Sequence, residues 1–178
     1  MTTTPQYTFS LQKIVVATNN GNGTFGTGVT GASTETVDVN QSMVSDETKG
    51  NAVITSRASQ TEKYQLSLGT ASFDLDVWAI LFNKSVTSSN GGYYQTIDDQ
   101  QRSPIFGLVA QAFPDNGDVL LWWPNCKLMT GVTWKNSYGK IVIPQFKAEA
   151  INDTSLGYMF RLFIRPNSGA ITFPPQIV

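Results

Sequence analysis

The chain has no histidine in 178 residues and a single cysteine, Cys126. The first absence removes Ser-His-Asp and Cys-His catalysis, together with the commonest metal ligand. The second removes any intrachain disulfide. A small secreted scaffold normally needs several, so folding under reducing conditions is expected. Without a histidine base beside it, Cys126 reads as a small buried hydrophobe. Charge is also scarce. Asp, Glu, Lys and Arg make up 14% of the chain, against ~25% in an average soluble domain. Net charge is −1, which gives no basic footprint for nucleic-acid recognition. The apolar runs fall far short of the ~20 residues that span a bilayer. The opening MTTTPQYTFS has neither the basic nor the apolar region of a signal peptide, so none is expected.

Polar character comes instead from Ser, Thr, Asn and Gln. A chain with so few charges suggests a surface partly covered by partners. Its length predicts one domain over 1–178 with a real core.

The stretch from Asn51 to Asn83 organises that domain. Its first half, NAVITSRASQTEKYQLSL, reads as strand. Its second half, GTASFDLDVWAILFN, is the one convincing helix, over about 72–83. Leu75, Trp78, Ala79 and Phe82 share one side at helical spacing, and Phe73, Val77 and Leu81 share the next. Ser72 is the candidate N-cap, with Asp74 and Asp76 in the first turn at the positive end of the dipole. Phe73 to Val77 also alternates, which keeps a strand open as the alternative. As a helix, its apolar arc is too wide for one sheet face, and the remainder calls for a second layer or another subunit.

The rest reads as strands and turns. Strands are expected over Tyr7–Thr18, Thr34–Met43, Ile105–Phe113, Val119–Trp123, Cys126–Trp134, Lys140–Ile151 and Tyr158–Arg165. Asn116-Gly117 supplies the positive φ angles of a tight hairpin. Two long loops, 19–33 and 85–103, and a proline-rich arm, 166–178, carry no strand pattern. The arm has no partner in the pattern. Long loops in a compact domain are commonly functional. The fold class is therefore mainly β: an antiparallel β-sandwich or barrel of about eight strands with one flanking α-helix.

No motif rises to chemistry. Gly21, Gly23 and Gly26 match G-x-G-x-x-G, but no helix opens behind them to hold a pyrophosphate, so the segment reads as a mobile loop. Asp98-Asp99 diverge in a loop, and Asp74 and Asp76 suit a helix start, so neither pair forms a glycosidase dyad. The Asn-x-Ser/Thr triplets at Asn22, Asn40, Asn83 and Asn152 follow from the abundance of Ser and Thr. Tyr93, Tyr94, Trp122 and Trp123 could stack on sugars or bases. Trp122 and Trp123 are strand neighbours, so one is expected to point away from the core, onto a second layer or a subunit contact. Neither an enzymatic activity nor a cofactor nor a metal is expected.

Two segments carry a family resemblance. EKYQLSLGTASFDLDVWAILFN resembles the strand-to-helix junction of the major tail tube proteins of long-tailed bacteriophages. LLWWPNCKLMTGVTWKNSYGKIVIPQFKAEA resembles that family's later strand and hairpin. They are the most specific pieces of a resemblance that covers about half the chain, and the family shares its fold with the ring protein of the type VI secretion tube. The resemblance implies rings, usually hexameric, stacked into a tube through which the genome passes. It implies a virion protein made in the bacterial host cytoplasm. Its partners would be further copies of itself, a tape measure, a tail terminator and an initiator. DNA would pass without specific binding, and no membrane insertion is implied.

On this resemblance, Asn19, Asn22, Thr24, Phe25 and Val29 of the first loop would reach a neighbouring ring or subunit. Phe73, Val77, Trp78, Leu81 and Phe82 would sit at a subunit seam, and the arm would add a contact between rings. A lumen that lets DNA slide should lack Lys and Arg to grip phosphates. The face formed by Thr36, Asp38, Asn40 and Ser42 is the candidate lining, with an ordinary solvated face as the alternative. On the neighbouring Thr61/Lys63/Gln65/Ser67 face, Lys63 would have to be offset or point between subunits. Two competing readings are another virion component, for capsid decoration or the baseplate, and a carbohydrate-binding β-sandwich.

Overall fold

The computed structural model describes residues 10–31, 34–50, 53–70, 74–96, 104–113, 117–129, 145–167 and 169–175. It bears out a mainly β, antiparallel architecture with one helix. Its strands are β1 (Ser10–Gly21), β2 (Thr24–Phe25), β3 (Val29–Thr30), β4 (Thr34–Gly50), β5 (Val53–Thr70), β6 (Thr87–Ser89), β7 (Gly92–Tyr94), β8 (Phe106–Phe113), β9 (Asp118–Leu128), β10 (Gln145–Ala150) and β11 (Arg161–Arg165). The helix α1 spans Leu75–Phe82, between β5 and β6.

Nine strands form one sheet with the path β2-β1-β8-β9-β10-β5-β4. β3 adds to β1 and β11 adds to β9. β1 and β4, near the ends of this path, approach each other without pairing, so the sheet curls. The face turned inward carries Ile14, Val16, Leu66, Leu68, Phe106, Leu108, Trp123, Cys126, Phe146 and Ala148, closed by Val77 and Leu81 of α1. Part of the outer face carries a second cluster, Val109, Leu120, Trp122 and Phe163, roofed by Phe25, Tyr158, Ile171 and Phe173.

Two cores explain the tryptophans. Trp122 and Trp123 do point oppositely, yet both are buried, one in each core. Burial pushes the Cys126 thiol well above its ordinary range, since a thiolate would lose its hydration there.

Several boundaries differ from expectation. The segment after β1 is no free loop. Positive φ at Gly21, Asn22 and Gly23 turns the chain, and β2 and β3 pair back onto β1. The second loop holds its own hairpin, β6–β7, closed by Asn90 and Gly91 at positive φ. The expected break after Trp123 is absent, and β9 runs through Pro124. There β11 hands over to β10 as neighbour, and the register with β8 shifts by one, so no ladder bond needs the missing N–H.

The helix starts later than expected. Asp74, not Ser72, is the N-cap, accepting from the Asp76 amide at 2.9 Å. Aspartate caps as well as serine, and Asn83 ends the helix in the left-handed region with its N–H on Ala79 and Ile80 carbonyls. Ser72, Phe73, Asp98, Asp99 and Asn116 lie outside the described residues, as does 130–144, where the strands ending at Trp134 and starting at Lys140 were expected. β11 starts at Arg161, later than the expected Tyr158, which a bridge to Asp153 holds in a turn.

The arm is not partnerless either. Phe173 packs over Gly28, where a Cβ would stand 2.5 Å from its ring, and Pro175 is buried. Gly28→Val should therefore overpack this seat and cost about 1–3 kcal/mol. Urea unfolding gives the loss, and faster cleavage of the C-terminal segment under limited proteolysis would place it at the arm.

Candidate polar sheet face

Strand pairing carries the expected β4 face across three more strands. Asp38 sits opposite Ser67, Asn40 opposite Gln65 and Ser42 opposite Lys63. Ser67 and Gln65 in turn face Lys147 and Glu149 of β10, and Glu149 faces Lys127 of β9. Period-2 alternation puts all of these on the outer side, because their neighbours Leu66, Leu68, Ala148 and Cys126 fill the inner core. Thr36 lies in the same β4 register, opposite Gly69.

The result is a polar face four strands wide. Asp38, Asn40, Gln65, Lys127 and Lys147 are exposed, while Ser42, Lys63, Ser67 and Glu149 are half-buried. Lys63 is offset: its Nζ lies 3.0 Å from Glu149 Oε2. The hydrogen bond to that carboxylate, and then its charge, raise the Lys63 pKa. Glu62 is the extra residue of a bulge and accepts from Ser42 Oγ at 3.4 Å. Asp38, Glu62 and Glu149 therefore balance Lys63, Lys127 and Lys147. A face balanced in this way has no excess of cation for a phosphate backbone.

Of the residues expected to reach a neighbour, Phe25 belongs to the roof over the outer core and Val29 packs against the inner core. Asn19 Nδ2 donates to the Pro124 carbonyl at 3.0 Å and to Asp153 Oδ2 at 3.2 Å. Thr24 Oγ1 donates to the Gly21 carbonyl, and Phe25 meets Trp122 edge-on at 5.1 Å. Val29 pairs with Val16, and Asn22 forms the exposed turn. This segment is committed to its own chain, which corrects the reading of it as a long mobile loop.

The helix residues are also covered from within. Val77, Trp78 and Leu81 are buried, Phe82 is half-buried, and Trp78 stacks on Phe82 at 5.1 Å. The wide arc is thus met largely by the chain itself.

Of the candidate stacking aromatics, burial withdraws Trp122 and Trp123 from any ligand at the surface. Tyr93 and Tyr94 remain, 71% and 52% exposed on the separate β6–β7 hairpin. Tyr93 lines a cleft of about 540 Å3 with Asp74, Leu75, Asp76, Val86 and Ser88.

Sequence reasoning missed a buried ionic site at the foot of β9 and β11. Asp118 accepts from Arg165 Nε at 2.6 Å and from Arg165 Nη2, and Gln111 Nε2 donates to it at 2.6 Å. Arg165 also donates to the carbonyls of Gly169 and Ala170, which ties the arm to the sheet. The clue was faint: an aspartate directly after a hairpin glycine, and an arginine ending an apolar strand.

Among the described residues, no group of three or more His, Cys, Asp or Glu could hold a metal ion, and no helix is long and apolar enough to cross a membrane. No family profile matches the chain, and a search of the curated proteins finds no match to it.

Proposed function

We propose that this protein is a structural subunit of a bacteriophage tail tube, forming rings that stack into a hollow conduit for the genome. The observation that carries the reading is the charge-balanced polar face spanning β4, β5, β10 and β9. A passage for DNA needs a wall that wets the polymer without gripping it, and hydroxyl, amide and paired charges meet that need. The family resemblance of the strand-to-helix junction adds to it.

A further element is available for stacking. It is the ribbon formed by the distal parts of β4 and β5. These pair with each other from Met43 and Thr61 out to Gly50 and Val53, beyond the reach of β10. Among the described residues the ribbon bonds only to itself, and such a ribbon is marginal alone and gains from a second surface.

Negative-stain microscopy of the purified protein at high concentration, with mass by light scattering, tests this directly. Hollow tubes or stacked rings are the expected result. A protein that stays monomeric in every condition, or closes into solid trimers, would sink the reading.

A further inference from the structure

We infer that Asn90 is a spontaneous modification site, converting to aspartate and isoaspartate ahead of the other Asn-Gly pairs among the described residues. The inference is independent of the tail-tube reading.

An asparagine followed by glycine can react with its own backbone, because glycine has no side chain to shield its nitrogen. The Gly91 nitrogen attacks Asn90 Cγ and forms a C–N bond. The side-chain nitrogen leaves as ammonia, carrying the proton given up by the Gly91 amide. One water then opens the five-membered imide. Cleavage of the new bond leaves aspartate, and cleavage of the original peptide bond leaves isoaspartate, with the chain routed through Cγ. Asparagine and water thus give an acid and ammonia, with no change of oxidation state.

The sequence holds four Asn-Gly pairs, at 20–21, 22–23, 90–91 and 116–117. Asn116 lies outside the described residues, which leaves three to rank. At Asn20 the attacking nitrogen is already engaged, since the Gly21 amide donates to Asn19 Oδ1 at 2.8 Å. Asn22 sits in an exposed turn that is braced from several sides. Thr24 Oγ1 donates to the Gly21 carbonyl at 2.8 Å, and a Cβ on Gly23 would stand 3.1 Å from the Leu156 side chain. Asn19 ties the base of that turn to Pro124 and Asp153.

Asn90 stands at the tip of β6–β7, a two-stranded sheet of its own with three residues in each strand. Every residue from Thr87 to Tyr94 is exposed, and a Cβ on Gly91 would meet nothing within 4 Å. Turn geometry does not separate the two sites, because Asn22 and Asn90 share a φ of +53°. In either turn the glycine nitrogen reaches Cγ only after the asparagine backbone rotates out of this conformation. The cost of that opening decides the order. At Asn22 it disturbs the pairing of β2 with β1 and the contact of Phe25 with Trp122. At Asn90 it disturbs a short hairpin, and a lone two-stranded hairpin is marginal in water and opens locally.

The test incubates the folded full chain at mildly alkaline pH and maps it by tryptic digestion and mass spectrometry. Peptide 85–102 has Asn90 as its sole asparagine, so a gain of one mass unit there reports the site. Fragmentation of peptide 14–49 reads Asn20 and Asn22 separately. Asn90 should react about tenfold faster than either, the ratio set by about 1.4 kcal/mol of extra opening cost at the braced turn. Enzymatic methylation of peptide 85–102 should detect isoaspartate, and the difference in rate should close in urea, where all three sites are unfolded. Asn20 or Asn22 reacting as fast as Asn90 in the folded chain would overturn the inference. So would a difference that persists in urea, or an Asn90 that reacts in urea alone.

Discussion

Replacing Asp118 by Ala is expected to cost about 3–5 kcal/mol of folding stability, measured by urea unfolding. The residue has no solvent exposure, and Arg165 beside it is only 4% exposed. Removing the carboxylate strands a guanidinium where water cannot reach it, and strands the Gln111 amide as well. Gly117 is part of the same construction. Its φ of +90° and missing side chain let the end of β11 pass so close that a Cβ would stand 1.9 Å from the Arg165 carbonyl oxygen. Geometry this tight leaves the arginine no room to swing out. The pair variant Asp118→Leu with Arg165→Met should recover part of the loss, since two apolar groups suit a buried site. It should not recover all of it, because Gly169, Ala170 and Gln111 lose their partners. A single variant as stable as the parent would show that the site is hydrated in solution.

The same site sets an acid limit. Burial alone would raise the Asp118 pKa, but hydrogen bonds from Arg165 and Gln111, with the arginine charge, outweigh it and hold the carboxyl below its usual range. A folded pKa below the unfolded one, about 3.9, means that the stabilisation is fully present above that value. It is lost as pH falls through the folded pKa. Stability of the parent should therefore drop below about pH 4, and the slope contributed by this group should vanish in Asp118→Ala.

What could be read from the sequence was what periodicity encodes. The alternation of Val37, Asp38, Val39 and Asn40 placed β4 and its polar face, and Glu149 with Lys147 placed β10. Position along the chain says nothing about which strands become neighbours, however. Lys63 meets Glu149 across 86 residues, and Asp118 meets Arg165 across 47. Such pairs leave no local pattern. The segment from Asn19 misled for a related reason. Glycine and asparagine read as freedom when the bond partners, Pro124 and Asp153, lie more than 100 residues away. The doubled tryptophans were legible: one was expected to leave the core for a second layer or a subunit contact, and Trp122 lies under a second layer. That layer comes from pieces with no strand pattern, a two-residue strand and a proline-rich arm.

Trp122→Ala should show that this outer layer is a core in its own right, costing about 3–5 kcal/mol in urea unfolding. The indole has no exposure. It takes Phe25 edge-on at 5.1 Å and Phe173 at 5.3 Å, and its Nε1 donates to the Tyr158 hydroxyl at 3.3 Å. Gly107 on β8 makes its floor, since a Cβ there would stand 2.6 Å from the ring. One side chain therefore joins β2, β8, the turn before β11 and the arm. Truncation removes the contact common to all four and leaves the tyrosine hydroxyl unpaired. Trp122→Phe keeps most of the ring packing and loses only the hydrogen bond and part of the volume, so its loss should be smaller. The order of the two distinguishes a packed core from a surface stacking site. At an exposed platform Ala and Phe would both leave stability within about 0.5 kcal/mol of the parent. A loss from Ala that exceeds the loss from Phe, accompanied by faster cleavage of the arm, would mean that the roof and the sheet unfold as one.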